Sequence, residues 1–318
     1  MKLIIQIPCL NEEESLPATL AALPKQIDGI DTIEILIIDD GSIDRTSEVA
    51  RENGVDHIVR FTSRKGLARA FHSGLDAALK QNADVIVNTD ADGQYKGEDI
   101  PRLVQPILEG KADIVIGNRD IENIGQFSWI KKKLQRIGSA VIRQLSGSTV
   151  SDATTGFRAY NREAALRLNI ISNYTYTLES IIQAEHKNLA IANITISTNF
   201  VERPSRLLKS MPEYIRRSIV TMLRVYSMFN PLRLFLTIGS IFLLIAALVG
   251  SRFVFYYLMG MGSGKIQSLI LVAICSIIGI QLVIIGLVSD LISANRRLIE
   301  DVLLRVKRIE LKTEENAS

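Results

Sequence analysis

The sequence predicts a mainly parallel α/β domain, followed by an amphipathic interfacial helix and two transmembrane helices. Three observations point there. Short β-branched or aliphatic runs alternate with helical stretches through residues 2–200. Two long uncharged apolar runs follow, of 18 residues (234–251) and 24 residues (266–289). Between them and the α/β part lies a strongly basic strip.

The strand-like runs are 2–7, 33–38, 57–61, 85–89 and 113–116, with a last one at 191–200. Helical stretches lie near 15–23, 46–52, 67–81 and 100–109. Such alternation implies a sheet covered on both faces, with ligands bound beyond the carboxyl ends of its strands. From 212 to 229, Ile215, Ile219, Met222, Leu223 and Tyr226 share one face while Arg216, Arg217 and Arg224 lie largely off it. This pattern suits a helix lying in a membrane interface; an amphipathic helix packed on the α/β domain is the alternative. The two apolar runs are long enough to cross a hydrocarbon core of roughly 30 Å. Buried core helices are the competing reading, disfavoured by length.

The 318 residues carry a net charge of +3 and are 47% hydrophobic, which excludes a disordered chain. Two cysteines, Cys9 and Cys275, allow no disulfide framework and no four-thiolate metal site, and both are expected as reduced thiols. Residues 1–202 carry −5 and residues 203–233 carry +6. An acidic domain joined to a basic membrane-proximal strip fits anionic head groups and argues against a nucleic-acid partner. Arginines 216, 217, 224 and 233 precede the first span, and Arg296, Arg297, Arg305, Lys307 and Arg308 follow the second. The positive-inside rule then places both termini and the α/β domain in the cytosol, on a plasma (inner) membrane protein. No secretory leader is expected at Met1. The expected division is 1–207, the cytosolic domain; 208–231, the amphipathic juxtamembrane region; 232–292, the two spans; and 293–318, a cytosolic helical tail.

Three strand ends carry residues suited to chemistry. Pro8-Cys9-Leu10-Asn11-Glu12 follows the first run, Asp39-Asp40-Gly41-Ser42 the second, and Asp90-Ala91-Asp92-Gly93-Gln94 the fourth. No G-x-G-x-x-G or Walker loop follows the first run, so dehydrogenase and P-loop readings lose their support. Asp90 and Asp92 can converge with Gln94 on a hard divalent cation, bound also through substrate phosphates. A lone D-x-D is often a solvated turn. Three acidic strand ends on one rim weaken that alternative.

The run Ile7-Pro8-Cys9-Leu10-Asn11-Glu12, Asp39-Asp40-Gly41-Ser42 and Asp90-Ala91-Asp92-Gly93-Gln94 together resemble the family-2 glycosyltransferases with the GT-A fold. Gly66, Ala70 and Gly74 at four-residue spacing, Gly117-Asn118-Arg119, and the segment 152–159 (D-A-T-T-G-F-R-A) narrow the resemblance to the dolichol-phosphate mannose synthase-like, polyisoprenyl-phosphate branch. The two C-terminal spans are similar to its bacterial membrane-anchored members. The resemblance implies that Pro8, Leu10 and Glu12 line the nucleoside pocket and that Asp40 accepts hydrogen bonds from the base. It implies that Asp92 and Gln94 hold Mg²⁺ or Mn²⁺ on the diphosphate, with Asp90 and the Ala91 backbone beside it. Arg119 would contact the sugar-phosphate or acceptor phosphate, and Asp152 would act as base or orienter near the acceptor.

Two departures stand out. Tyr95-Lys96-Gly97 follows Gln94 where the family often has prolines, and Arg203-Pro204-Ser205-Arg206 replaces a longer arginine–glycine–serine–lysine motif. Arg203 and Arg206 are still expected to bind phosphate, with Lys209 a weaker third. The reaction implied is inverting transfer of a hexose, glucose from UDP-glucose, to a polyisoprenyl phosphate such as undecaprenyl phosphate. A GDP-mannose-dependent mannosyltransferase is the alternative, and a non-catalytic nucleotide-sugar-binding scaffold is the alternative from another class. A processive polysaccharide synthase is disfavoured, because the single tryptophan, Trp129, stands in no Q-x-x-R-W motif. A homo-oligomer is expected from the small residues of the spans (Gly239, Gly279 and Gly286 among them) and from apolar positions between Leu291 and Leu311 that could join subunits or return to the α/β domain.

Overall fold

Residues 3–5 and Ile7 are wholly buried in a strand flanked on both sides, as a near-continuous aliphatic run demands. This is β1 (Lys2–Cys9) of the computed structural model, which describes residues 1–119, 152–171, 176–199, 220, 223–224, 226–260 and 266–317. The chain divides into two compact units, Met1–Met222 with Val306–Ser318, and Leu223–Arg305.

In the first unit β1 is followed by α1 (Leu16–Ala21), β2 (Thr32–Asp39), α2 (Thr46–Glu52), β3 (His57–Arg60), α3 (Leu67–Lys80) and β4 (Val85–Asn88). Then come α4 (Ile100–Leu108), β5 (Ile114–Arg119), β6 (Arg158–Asn161), α5 (Arg162–Arg167), α6 (Thr177–His186) and β7 (Ile191–Ile196). The strands form one sheet in the order β3-β2-β1-β4-β6-β5-β7. Pairs β1–β2, β1–β4, β2–β3 and β5–β7 are parallel, and β6 runs antiparallel to both neighbours. The mainly parallel α/β sheet is therefore as expected. The strand order reverses between β1 and β4, so a crevice opens there at the carboxyl ends of the strands. Because β6 is antiparallel, the residues that precede it arrive at this same rim.

The G-x-x-x-A-x-x-x-G pattern belongs to α3. A methyl group at Gly74 would stand 2.4 Å from the Gln6 side chain, so α3 can lie against β1 only without one.

The second unit holds α7 (Pro231–Leu258) and the first part of α8 (Ile266–Ala317), both long and apolar enough to cross a membrane. They pack where small residues meet. A Cβ at Gly239 would lie 3.0 Å from the Gly279 carbonyl oxygen, and one at Gly279 would lie 2.7 Å from Leu243. These glycines serve packing within one chain, which removes the support they lent to an oligomer. The end of α8 belongs to the first unit: Lys307 pairs with Asp76 at 2.8 Å, Arg308 with Glu163 at 2.7 Å and Glu310 with Lys80 at 2.8 Å. Most of the amphipathic region 208–231 lies outside the described residues.

Candidate active site

All three acidic strand ends emerge on the rim, and the first two are tied to each other by backbone–side-chain bonds. Pro8 and Leu10 are partly exposed there. Asn11 takes a left-handed conformation (φ 56°), which its short polar side chain tolerates. Its amide donates to Ser42 Oγ at 3.0 Å, and its side-chain oxygen accepts from the Ile43 amide at 2.9 Å. The Glu12 amide donates to Thr46 Oγ1 at 2.8 Å, while the Glu12 carboxylate accepts from Ser15 Oγ at 2.6 Å. Buried Asp39 accepts from the Ser42 amide at 2.7 Å and from Ser47 Oγ. Asp40 accepts from the amides of Lys65 and Gly66 at 2.6 and 2.9 Å, so its carboxylate closes the loop that enters α3. Gly41, at φ 76°, could not carry a side chain: a Cβ would lie 2.7 Å from the Arg64 nitrogen.

The third strand end is clamped from both sides. Thr19 of α1 donates to the Ala91 carbonyl at 2.9 Å. From beyond β7, Asn199 donates its amide to the Gln94 carbonyl at 2.9 Å and its side chain to the Gly93 carbonyl at 3.0 Å. The Gln94 amide donates to Asp92 Oδ1 at 3.0 Å, leaving Asp92 exposed on the loop. The unexpected Tyr95-Lys96-Gly97 has a structural cause. Tyr95 stacks on Phe157 at 5.0 Å and accepts from the Gly156 amide at 3.1 Å, and a Cβ at Gly97 would lie 2.0 Å from the Ala22 carbonyl oxygen.

Asp90 sits against the turn before β6. A methyl group at Gly156 would stand 3.0 Å from Asp90 Oδ1 and 2.9 Å from Tyr176 Oη. Burial, and then the Asp92 carboxylate, push the Asp90 carboxyl up to about 7, against an opposing pull from Arg119. Arg119, at the end of β5, meets Asp152 side-on: Nε is 2.7 Å from Oδ2, and a terminal nitrogen is 3.2 Å from Oδ1 and 2.8 Å from Thr154 Oγ1. Burial alone would raise the Asp152 carboxyl, but the Arg119 guanidinium and the Thr154 bonds outweigh it and hold the group below the usual carboxylate range. Arg203 and Arg206 lie outside the described residues. Among the described residues, no group of three or more His, Cys, Asp or Glu side chains gathers as a ready cation site.

Residues 4–168, just over half the chain, match the family described as glycosyl transferase family 2. The chain belongs to that family. It is 31% identical over 211 residues to the undecaprenyl-phosphate mannosyltransferase of Micrococcus luteus, an alignment covering 64% of this chain and 85% of the relative. It is 28% identical over 227 residues to the polyprenol monophosphomannose synthase of Mycolicibacterium smegmatis, covering 68% and 83%. Among solved structures it resembles glucosyl-3-phosphoglycerate synthase from Mycobacterium tuberculosis in complex with Mn²⁺, UDP and glucosyl-3-phosphoglycerate. That match has a TM-score of 0.57 at 23% identity, over 71% of this chain and 80% of the other, and shows the GT-A-like fold alone.

Within this family 2 glycosyltransferase, several site-building residues escaped the sequence reading. Arg158 is fully buried and ties the turn together, donating to the carbonyls of Ala153, Thr155 and Thr177 and to Ser180 Oγ at 2.7–3.0 Å. Asn88 at the end of β4 donates to the Gly156 carbonyl and to Tyr176 Oη, each at 2.9 Å. An arginine within the mixed run Thr154–Asn161 gives no sign of full burial. Nor does Tyr176, whose ring stacks on Phe71 of α3 at 3.8 Å.

Proposed function

We propose that the enzyme transfers a hexose from a nucleotide sugar to a polyisoprenyl phosphate at the membrane surface. The observation that carries this is kinship across most of the length of two named lipid-phosphate mannosyltransferases, in a chain with two helices able to anchor it. Those names favour mannose, and the expectation of glucose from UDP-glucose gives way to GDP-mannose as the preferred donor. The fold match to a UDP-binding enzyme does not bear on this choice. The proposal includes a cytosolic active site, the division at 207, 231 and 292, and a homo-oligomer.

The site chemistry fits a divalent cation. Burial and the neighbouring Asp92 carboxylate raise the proton affinity of Asp90, an arrangement that a cation relieves. With Gln94 they would hold Mg²⁺ or Mn²⁺, which supplies charge to disperse the departing nucleotide diphosphate. Pro8, Leu10 and Glu12 border the crevice between β1 and β4 where the nucleoside would lie. Asp40 is already engaged with the entry to α3, so we assign it to holding the base-side loop as well as to meeting the base. Asp152 holds Arg119, and Arg119 presents charge toward the Asp90 side of the site; both are positioning or phosphate-stabilising groups. A strong general base is not needed, because a phosphate monoester with its second pKa around 6 is already largely dianionic near neutral pH. Arg203 and Arg206 would add charge-assisted bonds to phosphate. The test is a screen of radiolabelled GDP-mannose, UDP-glucose and other nucleotide sugars with membranes holding the protein, followed by lipid extraction. Label from GDP-mannose in the lipid phase supports the reading; label from UDP-glucose alone overturns the choice of mannose.

A further inference from the structure

The loop 91–94 belongs to no helix or strand, so its backbone carbonyls must find partners one at a time. Thr19 of α1 serves Ala91 at 2.9 Å. Gly93 and Gln94 are both served by Asn199, whose side chain donates to the Gly93 carbonyl at 3.0 Å across 106 positions of sequence and whose amide donates to the Gln94 carbonyl at 2.9 Å. Asn199 lies past the end of β7, on an arm that follows the loop after the sheet has ended. Two earlier residues hold that arm: the Ser197 amide donates to buried Asp99 at 2.9 Å, and Thr198 forms an isolated antiparallel bridge with Tyr95. The Asn199 side chain adds the contact that reaches Gly93, between Asp92 and Gln94.

Gly93 is where this loop has least to hold it. Its φ is 69°, and among the described residues a methyl group built on it would meet only Thr19 Oγ1, at 3.9 Å. Packing therefore does not fix its backbone, and a glycine has the widest conformational freedom of any residue. The bond from Asn199 supplies the restraint. We propose that Asn199 is a positioning residue for the divalent cation: by holding the Gly93 carbonyl it keeps Asp92 and Gln94, on either side, in place before the cation arrives. The Gln94 amide already turns Asp92 Oδ1 back over the loop at 3.0 Å, so the two tethers together define one arrangement of the ligands. Such pre-organisation raises affinity without adding a ligand, because the loop gives up its freedom on folding and not on binding. Asn199 is itself exposed, so a substitution there removes a hydrogen bond and little packing. The inference rests on the reading of Asp92 and Gln94 as cation ligands and adds a residue that no sequence spacing connects with them.

The probe is Mn²⁺ alone, titrated into the full-length protein in detergent while the electron paramagnetic resonance signal of the free ion is followed. Asn199→Ala, and Asn199→Leu, which keeps the bulk but lacks the donor, should each raise the Mn²⁺ dissociation constant about fivefold, the scale of one hydrogen bond. Asn199→Gln keeps an amide donor at an exposed position with room to bend, and should stay within about twofold of the native protein. Unfolding midpoints without cation should fall by no more than about 4 °C in all three. Native Mn²⁺ affinity in the Ala and Leu variants, or an equal loss in Asn199→Gln, overturns the positioning role. So does a larger fall in midpoint with affinity unchanged, which marks a purely structural residue. The cation reading fails separately: a native protein that binds no Mn²⁺, or Asp92→Ala binding it as tightly, overturns that reading and this proposal with it. Weakened binding in Asp92→Ala with none lost in Asn199→Ala removes the positioning role alone.

Discussion

Arg119 and Asp152 are 33 positions apart and form a buried side-on ion pair, Nε to Oδ2 at 2.7 Å and a terminal nitrogen to Oδ1 at 3.2 Å. Both carboxylate oxygens are engaged, and Thr154 adds a further donor at 2.9 Å. The pair fixes the end of β5 to the turn that leads into β6, directly beside Asp90.

Removing one partner of such a pair leaves a buried charge uncompensated. Asp152→Asn should therefore destabilise the protein by about 3 kcal/mol, read as a lowered unfolding midpoint in detergent. It should also reduce transfer while leaving the acid limb of the pH–rate profile in place. Disappearance of that limb would show that Asp152 is the base.

The same pair sets a pH dependence of stability. The Asp152 carboxyl is held below its ordinary value, so its contribution is fully present above the unfolded carboxylate pKa of about 3.9 and is lost as pH falls through the lower folded value. The stability gap between the native protein and Asp152→Asn should be constant from about pH 5 to 8 and close only below about pH 4. A gap that closes near neutrality would contradict the assignment.

Glycine replacements separate packing from backbone strain. Gly97→Ala drives a methyl group to within 2.0 Å of the Ala22 carbonyl oxygen, and Gly156→Ala to within 2.9 Å of Tyr176 Oη, whereas Gly54 has open space around it. Gly54 does carry φ 72°, so Gly54→Ala should cost about 1 kcal/mol from strain alone and spare activity. The other two should cost at least about 1–3 kcal/mol, and both should impair transfer by shifting the loops that carry Asp90 and Asp92. Equal effects at all three positions would mean that the close contacts are relieved elsewhere.

The sheet was legible because its strands are aliphatic runs with acidic punctuation; the helix at 46–52 matches residue for residue, and 67–81 and 100–109 end one residue early. Strand β6 was not legible. Its sequence, Arg-Ala-Tyr-Asn, has no strand-like pattern, and Arg158 is buried only because carbonyls from three other positions receive its guanidinium. The rim at 12, 40 and 90–94 could be read from spacing, since it follows strands. The Arg119–Asp152 pair could not, because nothing local links residues brought together by an antiparallel return.

Arg203→Ala with Arg206→Ala should cripple transfer while leaving the protein membrane-inserted and able to bind nucleotide. Arg216→Ala with Arg217→Ala should do less, since each of those contributes only about 1 kcal/mol of attraction to anionic lipid. Equal losses in vesicle assays would mean that the basic strip acts as general electrostatic glue.

The most direct measurement is transfer itself. Purified protein in vesicles containing a defined polyisoprenyl phosphate is given radiolabelled GDP-mannose with saturating Mg²⁺ or Mn²⁺, alongside Asp92→Ala, and label is counted in the extracted lipid. Lipid-linked mannose made by the native protein, and abolished in Asp92→Ala because the diphosphate loses its cation ligand, is the predicted result. Tight nucleotide-sugar binding with no lipid-linked product from any donor, or full activity in Asp92→Ala, would contradict it.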